Sequence, residues 1–180
     1  MEDLSLHILD VAENSINAGA KNIEIMIVED NARDLMAIEI KDDGCGMDPA
    51  TLERAKDPFY TTRTTRKVGL GLAFFEESAK AAGGTIRMQS SPGKGTNVVV
   101  TFRLNHIDRK PLGDIAETIV TLLVGHSDID LVYRHFRDGA SVVFDTKEFK
   151  QLLNGAPIDD IEILGIIKQY LHQEEKSFSQ

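Results

Sequence analysis

Four short segments of this chain carry side chains that could act together on a phosphorylated ligand. In chain order they are Asp10–Ala20, Asp42–Met47, Gly69–Leu72 and Gly95–Thr96. They supply carboxylate and amide oxygens, which are ligands that Mg²⁺ prefers, and glycines, which let a ligand approach the backbone closely. Each segment alone is a weak signal, but the four occur in one order, each at the end of a predicted element. Together they predict a pocket for a nucleoside triphosphate.

The first segment lies on a predicted helix over residues 4–18, which ends at Gly19. At about 100° per residue, one broad face is apolar and the opposite stripe is polar. The polar stripe comprises His7, Asp10, Glu13, Asn14 and Asn17, without Lys or Arg. Solvated helix faces usually mix both charges, so this composition favours a site over a plain solvent face. Asp10 and Asn14 are four residues apart and can reach one point in space.

The second segment follows two predicted strands, over residues 23–29 and 35–41. Apolar and polar residues alternate in the second strand, and continuing this alternation places Asp42 on the inward face. An inward carboxylate needs hydrogen-bond donors, because an unpaired buried charge costs several kcal/mol. Gly44 and Gly46 would allow a flat ligand to approach the backbone. In isolation, the same glycine-rich string is also typical of a simple turn.

The third segment follows a polar stretch without periodicity, residues 61–67, and precedes a predicted helix to about residue 82. The stretch carries three cations and is interpreted as a lid over phosphates, with a solvated loop as the alternative. Gly69 and Gly71 precede the helix, whose first N–H groups would bind an anion. Neither a P-loop nor a Rossmann fingerprint occurs in the sequence. The predicted nucleotide contacts in this part of the chain are Thr62, Arg63, Lys67, Gly69, Leu70, Gly71 and Leu72, and the sequence leaves open which of Arg63, Arg66 and Lys67 reaches the γ-phosphate.

The four segments resemble those of the ATPase superfamily that includes gyrase, heat-shock chaperones, histidine kinases and MutL, over roughly residues 4–104. The resemblance implies the α+β class, as a Bergerat-type two-layer α/β sandwich whose mixed sheet is covered on one face by helices. It implies ATP and Mg²⁺ as ligands, with Asn14 on the metal and Asp42 accepting the exocyclic amino group of adenine. Thr96 would support the ring. The remaining nucleotide contacts that it implies are Asn17, Gly44, Gly46 and Met47.

Asp10 departs from the pattern of the hydrolysing members of this superfamily, which carry a glutamate at the corresponding position. That glutamate orients and deprotonates the water that attacks the γ-phosphate. Aspartate has the same charge on a side chain one methylene shorter, and a general base must lie within hydrogen-bonding reach of its proton. Because a displacement of about 1 Å can lower a rate about 10²-fold, we expect slow hydrolysis, with Asp10 as the catalytic residue.

The resemblance leaves open how ATP is used. The lid and the Gly-Leu-Gly-Leu segment look like those of histidine kinases, whose phosphoacceptor histidine lies on a separate upstream domain. Small anti-sigma-factor kinases, which are similar in size, phosphorylate a serine of a partner protein. We therefore expect transfer of the γ-phosphoryl group to a partner protein. The alternatives are an ATP-driven conformational switch, in which Lys147 or Lys150 could reach the γ-phosphate, and a regulatory subunit that only binds ATP.

Residues 106–180 lie outside the resemblance and are predicted to form a C-terminal α/β appendage beside an ATP-binding domain of residues 1–105. Helical periodicity, turn residues and a capping pattern predict its elements. These are a helix over 113–124, a hairpin around 137–139, a short helix to 153, a final helix over 158–172 and a frayed end over 173–180. His126 and His135 have no suggestive sequence neighbours, and we expect both at the surface.

The composition disfavours several classes of partner. A net charge of −9 over 180 residues argues against nucleic acids and anionic membrane surfaces. No apolar run approaches the ~20 residues that span a bilayer, and the acidic N-terminus differs from a secretory leader. The single cysteine, Cys45, cannot form an internal disulfide. We therefore expect a cytoplasmic protein that binds ATP and a protein partner, and a homodimer is compatible with these features.

Overall fold

The computed structural model describes residues 3–55 and 70–178, which form six strands and six helices. The helices are α1 Leu4–Asn17, α2 Pro49–Ala55, α3 Leu70–Ala81, α4 Ile115–Leu123, α5 Thr146–Leu152 and α6 Ile161–Phe178. The strands are β1 Asn22–Asp30, β2 Leu35–Asp42, β3 Ile86–Ser90, β4 Thr96–Arg103, β5 Asp130–Arg137 and β6 Ala140–Asp145. Within these described ranges, no helix is both long and apolar enough to cross a membrane.

All six strands form one mixed sheet in the order β3-β4-β2-β1-β5-β6. Neighbouring strands are antiparallel except β1 and β5, which are parallel and pair Ile25 with Tyr133. The mixed sheet with its helices confirms the predicted α+β class. Because β5 is hydrogen-bonded to β1, the C-terminal strands extend the same sheet that carries Asp42.

The sheet buries one of its faces. In β1, Ile23, Ile25 and Ile27 are at most 1% exposed, whereas Glu24 between them is exposed. This alternation of period two places successive side chains on opposite faces of the sheet. Apolar residues of four helices complete the core on the buried face. They include Leu4 and Ile8 of α1, Phe75 of α3, Ile119 of α4 and Ile167 of α6.

Helix α1 begins at a side-chain cap and ends at a glycine. The Asp3 carboxylate accepts a hydrogen bond from the Leu6 backbone N–H at 3.2 Å, which satisfies one free donor of the first turn. After the helix, Gly19 has a φ of 76°, a left-handed conformation that favours glycine. The predicted helix over residues 4–18 is therefore confirmed to within one residue.

The polar stripe of α1 is not open along its whole length. His7 is fully buried, and its ring stacks on Phe75 of α3 with centroids 5.0 Å apart and planes within 2°. Burial lowers the pKa of His7 to about 4, and neither ring nitrogen has a hydrogen-bond partner among the described residues. The placement of His7 with the open polar residues is therefore wrong, because α3 covers α1 at this level.

The hairpin predicted around residues 137–139 is confirmed. Asp138 and Gly139 both have positive φ, of 48° and 93°, as a two-residue hairpin turn requires. His135 in the first strand of the hairpin is only 1% exposed, so its expected surface position is wrong. It lies on the inner face of β5, which packs into the core, whereas His126 in the preceding loop is half-buried.

The C-terminal helix is longer than its sequence predicts. Helix α6 continues to Phe178, so the expected frayed end over 173–180 is wrong for most of that range. The helix packs on α4, and α4 packs in turn on α1. A hydrogen bond of 3.3 Å from Thr118 Oγ1 to the Ser5 carbonyl oxygen joins α4 to α1. The C-terminal region is thus connected to the helix that carries the candidate catalytic residue.

Candidate functional site

Asp42 ends β2 with its side chain on the buried face, which confirms the position that the alternation predicts. It is 9% exposed. Its Oδ2 accepts a hydrogen bond from Ser15 Oγ at 2.7 Å. Its Oδ1 accepts from the backbone N–H groups of Gly44 at 2.8 Å and Thr96 at 3.2 Å. The donors come from α1, the turn after β2 and the start of β4, so these three elements meet at Asp42.

The Asp42 carboxylate retains capacity for one further donor. Its two oxygens offer about four lone-pair positions, and donors among residues 3–55 and 70–178 occupy three of them. An N–H group of a ligand would therefore complete its hydrogen bonding. An exocyclic amino group on a flat ring has this chemistry, whereas a carbonyl at the same position would face a repelling oxygen. The residues present fit adenine, and they fit guanine poorly.

The turn after β2 packs so tightly that only glycine fits at position 46. A Cβ at Gly46 would lie 1.9 Å from the Ser91 carbonyl oxygen, and the φ of Gly46 is 65°. A Cβ at Gly44 would lie 3.0 Å from both Ala18 Cβ and Asp42 Oδ1. This turn is therefore fixed against the Ser91 backbone at Gly46, and against the end of α1 and the Asp42 carboxylate at Gly44.

Ser90 at the end of β3 connects two of the predicted contact residues. Its Oγ accepts a hydrogen bond from the Met47 backbone N–H at 2.8 Å and donates to the Gly95 carbonyl oxygen at 2.9 Å. The same hydroxyl lies 3.0 Å from Thr96 Oγ1. Because the Thr96 N–H also binds Asp42, the structure joins Met47, Thr96 and Asp42 in one hydrogen-bonded group.

Asp10 lies half-buried beside the start of α3. A Cβ at Gly71 would come within 2.7 Å of Asp10 Oδ2, so glycine is the residue that leaves room for this carboxylate. Gly71 was expected to precede the helix, and it is the second residue of α3. The first N–H groups of a helix lack intrahelical partners and attract anions. A phosphate bound at this helix start would therefore lie close to Asp10.

The two ends of the site lie along one helix. Ser15 marks the Asp42 end of α1 and Asp10 marks the α3 end, and five helical residues span about 7.5 Å at 1.5 Å per residue. Asn14 lies between these two levels and is exposed. The order along α1 is therefore a carboxylate acceptor, an amide oxygen and a second carboxylate. This order would suit a nucleobase at Asp42, a metal ion at Asn14 and a terminal phosphate near Asp10.

Some predicted contacts cannot be placed with the others. Thr62, Arg63, Lys67 and Gly69, together with the predicted lid, lie outside the described residues. Leu70 opens α3, and Leu72 is partly buried and packs against the core. Asn17 is exposed, and its Nδ2 donates to the Glu13 carbonyl oxygen at 2.7 Å, so in this structure the amide binds its own helix. The structure brings the predicted residues together in two groups, one of Asp42, Gly44, Gly46, Met47 and Thr96 and one of Asp10 and Gly71, and Asn14 lies between their levels on α1.

The described residues do not form a ligand cage for a metal. Within residues 3–55 and 70–178, no three His, Cys, Asp or Glu side chains are grouped so that they could hold a metal ion. Mg²⁺ on a nucleotide takes most of its ligands from phosphates and water, and only one or two from protein. Asn14, an exposed residue of α1, would supply one amide oxygen of this kind.

The sequence motifs do not identify two residues of the site, Ser15 and Ser90. Ser15 occupies the apolar face of α1, four residues after Val11, and is 3% exposed. A hydroxyl on the apolar face of a helix needs a hydrogen-bond partner, so the position of Ser15 in the helical pattern does indicate a buried polar contact. Ser90 carries no such signal, because its role depends on the pairing of β3 with β4, which brings it opposite Thr96.

The sequence matches one known protein family and several individual proteins. Residues 2–106 match the family described as Histidine kinase-, DNA gyrase B-, and HSP90-like ATPase. A putative sensor protein of Shewanella frigidimarina is 38% identical over 103 residues, which cover 56% of this chain and 16% of that protein. Sensor protein kinase FleS of Pseudomonas aeruginosa is 38% identical over 110 residues, covering 61% of this chain and 27% of that protein. This chain therefore spans less than a third of the length of either relative.

Solved structures share the fold at low sequence identity. The N-terminal domain of a DNA repair protein has a TM-score of 0.53 and 16% identity, and the match covers 88% of this chain and 59% of that one. The MutL ATPase domain of Aquifex aeolicus, complexed with ADP, has a TM-score of 0.51 and 17% identity, and covers 86% and 70% respectively. Both matches extend beyond the 105 residues of the family match into the C-terminal strands and helices.

Proposed function

The chain belongs to the family of histidine kinase-, DNA gyrase B- and HSP90-like ATPases, and on that premise we propose that it binds Mg–ATP and transfers the γ-phosphoryl group to a partner protein. One observation carries the proposal. Ser15, which donates to the inward Asp42 carboxylate, lies about one and a half helical turns along α1 from Asp10, and Asp10 adjoins the start of α3. Among the described residues, the Asp42 carboxylate keeps one acceptor position for a ligand.

Asp42 would recognise the adenine base. Its carboxylate would accept the exocyclic amino group, and the glycine turn at Gly44 and Gly46 would lie against the ring. Thr96 would hold the ring through its hydroxyl, directly or through water. Since Ser15 and two backbone N–H groups fix the carboxylate, little reorganisation is needed when the base enters.

The phosphates would lie between Asn14 and the start of α3. Asn14 would supply one oxygen to Mg²⁺, which neutralises charge on the phosphates when it is bound. The first N–H groups of α3 would bind phosphate oxygens, and Gly71 allows close approach there. Thr62, Arg63 and Lys67 remain proposed phosphate contacts from the lid.

Asp10 would act as the base for a hydroxyl acceptor. It would take the proton as the acceptor oxygen bonds to the γ-phosphorus and ADP leaves. A carboxylate that is half-buried beside the phosphate end is accessible to an acceptor presented by another protein. The relatives named as sensor proteins support a kinase, although the chain matches only 16% and 27% of their lengths.

An ATP-driven switch is the second candidate, favoured by the fold shared with the MutL ATPase domain. That use of ATP needs a lysine that reaches the γ-phosphate. Lys147 and Lys150 both lie near Asp130 at the start of β5, with Nζ to carboxylate distances of 3.5 and 3.0 Å. Their ion pairs with Asp130 count against either lysine in this role. A regulatory subunit that only binds ATP is the third candidate.

Incubation of the purified chain with γ-labelled Mg–ATP and an extract of its source cells separates these candidates. Label on a partner protein supports the kinase, and its loss with Asp10→Asn at unchanged ATP affinity assigns the base. Free phosphate released with nucleotide-dependent dimerisation supports the switch instead. ATP binding without either product supports the binding subunit and overturns the kinase.

A further inference from the structure

His135 of β5 lies in a buried cluster of charges that connects β1, β5 and α6. Its Nε2 lies 3.1 Å from Glu29 Oε1 of β1, and its Nδ1 lies 3.1 Å from Glu175 Oε2 of α6. The side chains of His135, Glu29 and Glu175 are 2%, 8% and 22% exposed. Three distant parts of the chain therefore meet at one imidazole ring.

The geometry requires a protonated ring. An ionised carboxylate has only acceptor positions, and a neutral imidazole has one donor and one acceptor. With a carboxylate at each nitrogen, both hydrogen bonds form only when both nitrogens carry protons. The cation is then shared between two anions, which is the arrangement in which a buried charge is tolerated.

Two further titratable side chains, Arg137 and Tyr133, donate hydrogen bonds to the carboxylates that flank His135. Arg137 donates two hydrogen bonds to Glu29 Oε2, from Nε at 3.0 Å and from Nη2 at 2.7 Å. The Tyr133 hydroxyl donates to Glu175 Oε1 at 2.7 Å. On the side of β6, the residue paired with His135 is Val142, which carries no charge. Two carboxylates, one guanidinium and one imidazolium thus sum to zero among these groups.

We propose that His135 is a proton-operated latch that holds the C-terminal turns of α6 on the sheet at neutral and lower pH and releases them when the ring loses its proton. Deprotonation turns one ring nitrogen into a lone pair that faces a carboxylate, and leaves one net negative charge in a buried site. Glu29 is held by Arg137 on a central strand. Glu175 is the more exposed carboxylate and lies near the end of its helix, so Glu175 departs.

The release is confined to the end of α6. Earlier along α6, His172 Nε2 pairs with Asp114, the N-cap residue of α4, at 2.9 Å, and the Lys168 ammonium pairs with Glu117 of α4. Leu164, Ile167 and Leu171 are buried on the same helix. These contacts do not involve His135 and keep the first turns of α6 in place.

The direction of the pKa shifts agrees with this geometry. Burial opposes charge on His135, but the hydrogen bonds that the ring donates to Glu175 and Glu29 outweigh it and raise the pKa of His135 above the ordinary 6.5. Burial likewise opposes ionisation of Glu29, but His135 and Arg137 lower its pKa below the ordinary 4.5. The contribution of His135 to stability is therefore complete below pH 6.5 and is lost as pH rises through the raised value. That of Glu29 is lost at the acid end, as pH falls through its lowered value.

The test is amide hydrogen exchange, resolved by mass spectrometry, of the full chain between pH 6 and pH 9, corrected for intrinsic exchange. Peptides that cover residues 172–178 should exchange faster at pH 9 than at pH 6, and peptides from β2 and β4 should not change. In Glu175→Gln, exchange of the same peptides should be fast already at pH 6 and vary little with pH.

A matched control is His172→Gln, which removes the other paired histidine of α6 and should keep the pH dependence of the last turns. NMR titration of the His135 ring gives a second readout that does not depend on exchange. Exchange of residues 172–178 that is independent of pH in the unmodified chain would overturn the latch. So would a His135 ring that titrates below 6.5, or a pH response that survives in Glu175→Gln.

Discussion

Ser15 of α1 and Asp42 of β2 are joined by a hydrogen bond of 2.7 Å in the buried interior. It connects the helix that carries Asp10 and Asn14 to the strand end that carries the candidate adenine acceptor. The hydroxyl also lies 3.4 Å from the Val11 carbonyl oxygen, so it stays on its own helix as well. The distance between the two ends of the site therefore depends on this contact.

Replacement of Ser15 by alanine should weaken both the fold and the site. A buried oxygen of the Asp42 carboxylate would lose the donor that Ser15 supplies, which costs about 1–3 kcal/mol. We expect a lower free energy of unfolding in urea by this amount and several-fold weaker ATP binding in calorimetry. Ser177→Ala, at an exposed position on α6, is the control and should change neither. Wild-type values for Ser15→Ala in both measurements would refute a linking role for this hydrogen bond.

Lengthening Asp10 by one methylene should accelerate hydrolysis. Gly71 closes one side of Asp10, so the longer side chain of Asp10→Glu must extend towards the pocket. A base that is better placed by about 1 Å can raise a rate up to about 10²-fold. Steady-state release of phosphate from Mg–ATP measures this effect, and Asp10→Asn should show none of it. The absence of any gain in Asp10→Glu would contradict the short Asp10 side chain as the cause of the slow hydrolysis that we expect.

A methyl group at Gly71 should disturb catalysis more than binding. In Gly71→Ala the new Cβ would lie 2.7 Å from Asp10 Oδ2 and 3.0 Å from Asp10 Cβ, so either the carboxylate or α3 must shift. We expect phosphate release or transfer to fall about tenfold or more, with a smaller change in ATP affinity. Gly165→Ala is the control, since nothing lies within 4 Å of its Cβ, and a helical alanine there stabilises by up to about 1 kcal/mol. Equal kinetics for the Gly71→Ala variant and the unmodified chain would show that the contact is unimportant.

His7 should make the protein less stable as the pH falls. Its pKa of about 4 lies below the ordinary 6.5, so the unfolded chain binds the extra proton first and stability declines between these values. The full loss is roughly 3 kcal/mol for a shift of this size. His7→Phe keeps a ring to stack on Phe75 and removes the two unpaired nitrogens. It should be more stable than the unmodified chain, with the gain larger at pH 5 than at pH 7 in urea unfolding. A gain that does not grow towards acid pH would argue against a buried neutral imidazole.

The sequence predicts those parts of the site that depend on local periodicity. Strand alternation through β2 is enough to turn Asp42 inward, and helical phase is enough to place Asp10 and Asn14 on one side of α1. Four ordered segments were enough to identify the family, because each supplies a different part of the pocket.

Features that depend on distant partners could not be predicted in this way. His7 is polar by phase, but the return of α3 covers it. His135 is buried because β5 pairs in parallel with β1, and its partner Glu175 comes from a helix 40 residues further along the chain. Neither the parallel pairing nor the helical contact leaves a local pattern, so an isolated histidine was expected at the surface.

The central claim is that a nucleotide binds between α1 and the sheet with its base at Asp42. The most direct measurement is calorimetric titration of a non-hydrolysable ATP analogue with Mg²⁺ into the unmodified chain and into Asp42→Asn, with circular dichroism to verify that both are folded. We predict saturable binding to the unmodified chain and a loss of about 100-fold or more in the variant, because a charged acceptor is replaced by an amide that cannot serve it equally. Equal affinity in the two folded proteins would contradict the claim.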